Sequence, residues 1–257
     1  MSFVFLTGLI LSAVIGLSLG LIGGGGSILT VPILVYFLGV ETHEAVGMSL
    51  AVVGATSLFG SYLHYRRDNV NFSSGLLFGI SGIVGAFLGS PLTKLVDPNV
   101  LLLIFATLMF VVAVSMLWRK KNAHSEERRE VNRTKAILAG FGVGILTGFL
   151  GVGGGFLIVP ALVFFGGLAM KEAIGTSLFV IFLNCVAGLI GHATQSHFNW
   201  SLTFIVMGLA VSGTIFGTIL SHRLAAHKLQ KVFAMLVLGV AIFLFAKNIK
   251  NNGRASC

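Results

Sequence analysis

Polar and apolar positions along this chain separate into long blocks instead of alternating. No Asp, Glu, Lys or Arg occurs before Glu41, and further charge-free runs cover residues 45–65, 69–93, 98–118, 136–170, 173–222 and 232–246. A helix needs ~20 apolar residues to cross the hydrocarbon layer. The runs therefore predict an all-α, polytopic integral membrane protein of about eight transmembrane helices. A soluble fold would need helices hydrophobic on every face with almost no polar surface to cover them. Composition points the same way: 10% of residues are charged and 56% hydrophobic, against roughly 25% and 45–50% in an ordinary soluble domain. Met1 to Leu6 carry no basic n-region, so the first segment is expected to be retained and not cleaved as a signal peptide.

The pattern is duplicated. Residues 16–32 (GLSLGLIGGGGSILTVP) return as residues 144–160 (GILTGFLGVGGGFLIVP) at an offset of 128, with eight of the seventeen positions identical. The same offset pairs Glu44 with Glu172, Ser49 with Ser177, His64 with His192 and Asn71 with Asn199. This divides the chain into a first repeat (1–118), a basic linker (119–135) and a second repeat (136–257).

Net charge is +9, but seven of the seventeen Lys and Arg lie in the linker, so the excess describes a membrane-flanking loop and gives no reason to expect a nucleic-acid partner. The positive-inside rule makes that loop cytoplasmic, and the tail with Lys247, Lys250 and Arg254 reads the same way. Linker and C-terminus on one side imply four crossings per half. The basic stretch from His222 to Lys231 argues against this arrangement. Counting each glycine-rich break as a full turn gives ten segments instead, five per half, with inverted repeats. The two cysteines, Cys185 and Cys257, imply no disulfide framework, and no metal or cofactor motif is present.

Gly23, Gly24, Gly25 and Gly26 interrupt an apolar stretch far too long for one crossing, and Gly153, Gly154 and Gly155 do the same in the second repeat. Each Gly costs ~1 kcal/mol relative to Ala inside a helix, so these runs predict breaks followed by short or re-entrant helices. Broken backbone at membrane depth survives only where protein or a wet cavity satisfies it. A half-helix starting there aims its N–H groups and positive dipole end at whatever occupies that place, which suits an anion. The GxxxG spacings at Gly16/Gly20, Gly85/Gly89, Gly144/Gly148 and Gly213/Gly217 fit close helix packing.

Paired GxxxGxxGxGG runs ending in an apolar stretch and Pro32 or Pro160 are each followed by an A-[VI]-G-x-S-L element, at residues 45–50 and 173–178. This combination resembles the sulfite exporter TauE/SafE family over nearly the whole chain. The resemblance implies a multi-pass inner-membrane permease for small anions, chiefly sulfite or organosulfonates. An anion channel or passive pore is the competing class, and nothing in the sequence suggests an enzyme: no nucleophile has an evident base. The expected partners are a small anionic substrate and the lipid bilayer.

Candidate substrate contacts are Gly23, Gly24, Gly25, Gly26, Gly151, Gly153, Gly154 and Gly155 at the breaks, with the hydroxyls of Ser49, Thr176 and Ser177 and the amide of Asn184 inside the spans. Each hydroxyl can instead bond back to its own helix, and the amide can join helices. Glu44, Glu172, His64 and His192 are the candidates for proton coupling. For the two glutamates the alternative is ordinary first-turn helix chemistry, and for the two histidines a place at the interface. Cys185 aligns with Ser57 in the first repeat, so a thiol function is not expected.

Overall fold

A computed structural model describes residues 3–89, 91, 98–118, 133–150, 155–192 and 199–255. Among the described residues all regular structure is helical. The order is α1 (Phe3–Ile22), α2 (Gly25–Tyr36), α3 (Thr42–Tyr65), α4 (Phe72–Gly89), α5 (Pro98–Trp118), α6 (Arg133–Leu150), α7 (Gly155–Phe164), α8 (Met170–His192), α9 (Trp200–Arg223) and α10 (Ala226–Ala255). The offset of 128 matches α1–α5 to α6–α10 in turn. Helix α6 begins at Arg133, inside the stretch read as linker.

Eight helices have 18 to 30 residues. Five of these are both long and apolar enough to cross a membrane over their described residues: Glu44–Tyr65, Phe72–Gly89, Met170–Ile190, Trp200–Arg223 and Ala226–Phe243. The other two helices, α2 and α7, have 12 and 10 residues. At 1.5 Å per residue they reach only ~18 and ~15 Å, well short of the ~30 Å hydrocarbon layer. Pro32 and Pro160 inside them each remove one backbone donor.

The turns that end α2 and α7 match bond for bond. Leu38 N donates to Ile33 O and Val40 N to Leu34 O; Gly166 N donates to Ala161 O and Leu168 N to Leu162 O. Gly39 (φ 68°) and Gly167 (φ 69°) hold the same left-handed position in each.

Helix directions follow from which backbones touch. Gly16 faces Ala210 and Gly20 faces Thr214, so α1 and α9 run the same way with backbones in contact. Gly85 faces Phe141 and Gly89 faces Ile145, which makes α4 and α6 a second such pair. By contrast Gly54 meets Cys185, Gly60 meets Leu178 and Gly188 meets Leu50, so α3 and α8 run antiparallel. Gln230 Nε2 donates to Met116 O, which sets the start of α10 against the end of α5. The two halves thus interleave. Ile15, Leu19, Met109, Phe156, Leu162 and Phe233, drawn from both repeats, are fully buried in one core. Phe87, Phe204, Phe216 and Phe243 stand exposed on the outside, as lipid-facing residues do.

The directions correct one expectation. Because α2 turns back along α1, with Gly26 against Ile15 and Gly8 against Leu38, α3 starts at the same end of the bundle as α1. Four long helices per half therefore do not return the chain to its starting end. Trp118 and Ala226 lie at one end, and α10 runs away from it, so the linker and the C-terminus leave at opposite ends. A membrane-impermeant maleimide should accordingly label a cysteine introduced at Ser125 and the native Cys257 from opposite sides of sealed vesicles. Labelling of both from the same side would contradict the helix directions.

Candidate functional site

Helix α1 stops at Ile22 because Gly23 turns left-handed (φ 81°), a conformation that disfavours any residue with a Cβ. Gly24 is the N-cap of α2 and no side chain caps that terminus. Among the described residues the first N–H groups of α2 therefore have no side-chain acceptor. Ser177 Oγ on α8 lies 3.0 Å from Gly23 O and 2.8 Å from Ile174 O and donates into that pair, fixing the break to the other half.

Gly24 abuts the backbone of Gly155, the first residue of α7, and a side chain on Gly155 would meet Ser27 Oγ. The starts of α2 and α7 therefore come together where the halves meet. From there α2 leads through residues 37–41 to the start of α3, and α7 leads through residues 165–169 to the start of α8, at the opposite end. Two helix N-termini, each worth about half a positive charge, converge on one place. Ser18 Oγ stands 3.4 Å from where a side chain on Gly25 would begin, is buried, and has no hydrogen-bond partner among the described residues. The remaining neighbour of Gly25 is the apolar tip of Leu236. Gly26 packs α2 on α1, against the Ile15 carbonyl. Gly151, Gly153 and Gly154 lie outside the described residues.

A cavity of about 360 Å³ opens between α4, α6, α7 and α8, lined among others by Gly144, Thr147, Gly148, Ile158 and Asn184. Asn184 Oδ1 is buried there with no partner among the described residues. Its counterpart Thr56 is different: that hydroxyl bonds to Val52 O and Val53 O of its own helix. Three other lining residues have bulkier counterparts in the first repeat, Ser12 for Gly140, Leu19 for Thr147 and Phe59 for Ala187, while Ile158 has the smaller Thr30.

The remaining candidates are mostly engaged. Thr176 Oγ1 accepts from Asn71 N at 2.9 Å, and Glu172 Oε1 accepts from Asn71 Nδ2 at 3.4 Å. In the other half Glu44 Oε1 accepts from Asn199 N at 2.7 Å. Each glutamate thus ties the first turn of α3 or α8 to the start of α9 or α4, while Asn71 and Asn199 also accept from Ser74 N and Leu202 N. Ser49 is buried within α3. His64 is fully buried beside His222, their ring centroids 4.8 Å apart. His192 ends α8, and its side chain lies outside the described residues. Three participants were missed from sequence: Ser18, His222 and the asparagine pair. Only the asparagines carried a signal, through their matched positions in the repeat.

Residues 8–244 match the family Sulfite exporter TauE/SafE. A "Probable membrane transporter protein" of Xylella fastidiosa (strain 9a5c) is 38% identical over 238 residues, covering 90% of both chains. "Probable membrane transporter protein YdhB" of Bacillus subtilis (strain 168) is 30% identical over 234 residues, 90% of this chain and 92% of that one. YunE of the same organism, with the same description, is 28% identical over 273 residues, 97% and 99% of the two chains. No solved structure matches the chain.

Replacing Ser177 by Ala removes the hydroxyl that serves the Gly23 carbonyl. The expected cost is ~1–3 kcal/mol, the penalty of a buried acceptor losing its donor, read as a lower unfolding temperature in detergent. An unchanged unfolding temperature would mean that Ser177 does not hold the break.

Proposed function

The chain belongs to the sulfite exporter TauE/SafE family, and from that premise we propose that it carries a small oxyanion or sulfonate, sulfite first, across the cell membrane. The observation that carries this reading is the uncapped start of α2 set against the start of α7. The described spans offer no Lys or Arg near that place, so the negative charge of a bound anion is balanced by backbone N–H groups, two helix dipoles and the Ser18 hydroxyl. Such binding is weak in absolute terms, which lets a carrier release what it takes up. Glycine allows an oxyanion to approach the backbone without a side chain in the way.

We read the two repeats as inverted across the membrane, each with four spanning helices and one re-entrant short helix. The antiparallel course of the matched helices α3 and α8 favours this, since parallel repeats would run them the same way. The linker end is then the cytoplasmic one: Arg66, Arg67, Lys171, Arg223, Lys228 and Lys231 gather there with the linker cations. Both termini fall on the far side.

In this reading the cavity beside Asn184 is the open half of an alternating pair, and the buried Ser12 and Leu19 fill the matching place in the first repeat. Exchange of the two packings exposes the central site to each side in turn. The glutamates, engaged with Asn71 and Asn199, act as staples between helices.

The test is sulfite flux in proteoliposomes. Saturable flux is expected, with a loss of at least about tenfold in Gly25→Val, equivalent to ~1.4 kcal/mol. Gly25 is the right probe because its nearest neighbour is the flexible Leu236 tip, so the fold should survive. Flux rising linearly without saturation would indicate a pore, and full flux in a folded Gly25→Val variant would remove the site from the break.

A further inference from the structure

We propose that His64, His222 and Thr218 form a second oxyanion-binding station, between the glycine break and the cationic end of the bundle. It rests on the reading that the chain carries an oxyanion and extends it by naming a second place where that ion is held.

Four buried polar atoms there have no hydrogen-bond partner among the described residues: both ring nitrogens of His64, Nε2 of His222 and Oγ1 of Thr218. His64 and Thr218 are 0% and 1% exposed. The imidazoles lie 4.8 Å apart, centroid to centroid, tilted by 52°. Thr218 precedes His222 by one turn of α9. The backbone of Gly20, three residues before the break, lies against the backbone of Thr218, and its carbonyl is directed at the His64 ring. Gly175 of α8 leaves room for the His64 Cβ. The cluster therefore adjoins Gly23 on one side and the end of α3 and α9 on the other.

The chemistry of the group selects its ligand. A neutral imidazole offers one N–H and one acceptor, and a hydroxyl can donate, so the three side chains can supply three donors to one ion. Lys171 Nζ donates to His222 O at 3.2 Å and stands within electrostatic reach of both rings, and Arg67 is within reach of His222. Of the nearby carboxylates, Glu172 is engaged by Asn71 and Asp68 lies on the turn that follows α3. A divalent cation would face two positive charges with no carboxylate or thiolate among its ligands, whereas an oxyanion gains from both of those charges and from each N–H and O–H donor, with only the Gly20 carbonyl opposing it. The duplication repeats the composition: Ser90, Lys94 and His192 match Thr218, His222 and His64, and His43 matches Lys171. Those side chains lie outside the described residues.

The experiment uses the full chain in nanodiscs with ¹⁵N-labelled histidine, titrated with sulfite and, separately, with chloride at equal ionic strength. Of the seven histidines, the signals of His64 and His222 are identified by their loss in His64→Gln and His222→Gln. Both should move saturably with sulfite and stay fixed with chloride. In Thr218→Val the half-saturating concentration should rise roughly threefold or more. If His64→Gln does not fold, His222→Gln and Thr218→Val carry the test. Fixed signals at sulfite concentrations that saturate binding of radiolabelled sulfite would overturn the station, as would equal shifts with chloride. Moving signals in a protein without sulfite flux would leave the station standing and sink the transport reading instead.

Discussion

Two seams where backbone touches backbone hold the rest of this molecule in place. Along α1 and α9, Gly16 and Gly20 meet Ala210 and Thr214, while Gly213 and Gly217 meet Ala13 and Leu17. Along α4 and α6, Gly85 and Gly89 meet Phe141 and Ile145, while Gly144 and Gly148 meet Gly82 and Ala86. Between helices in lipid there is little hydrophobic drive, because the tails are as apolar as leucine. Close packing of small residues supplies the attraction instead. Each seam joins a helix of one repeat to a helix of the other. Neither half can therefore build its own core, and the chain folds as one interleaved body.

That interleaving is what brings the two glycine breaks together. Helices α1 and α6 start at opposite ends of the bundle, so the short helices that follow them leave the middle in opposite directions. Their starts meet at Gly24 and Gly155, and Ser177 ties the first break to α8 of the opposite repeat. Glu44 and Glu172 repeat the same logic nearer the ends, each bonding to an asparagine before a helix of the other half. In the proposed mechanism the central site needs no formal charge because the geometry already concentrates two positive helix ends there. The proposed histidine station would extend this path toward the cationic end.

Much of this architecture was legible in the residues. The duplication was visible because both copies keep Gly20/Gly148, Gly23/Gly151 and Pro32/Pro160 in register, and apolar block lengths revealed the helices. The parity of crossings was not legible. An apolar stretch says how long a segment is, but not whether residues after Gly24 continue across or fold back along α1. The tail cations Lys247, Lys250 and Arg254 then favoured the even count. Side-chain roles were harder still. By type Ser177 and Thr176 can donate to a ligand or bond back to their own helix; in the structure Ser177 bonds to the Gly23 and Ile174 carbonyls and Thr176 accepts from Asn71. His222 was missed because its meeting with His64 depends on α3 and α9 running side by side, a relation that no local pattern encodes. By type Asn184 can join helices or donate to a ligand, and its Oδ1 stands at the cavity with no partner among the described residues.

The central claim is that the paired starts of α2 and α7 hold the transported anion. Crystals of the protein soaked with selenite, a heavier analogue of sulfite, would test it through the anomalous scattering of selenium. A selenium peak is expected about 4 Å from the Gly25 and Gly155 amide nitrogens, as an oxygen hydrogen-bonded to each would place it, displaced by excess sulfite. Selenium bound elsewhere with none at those amides, in protein that transports selenite, would contradict it.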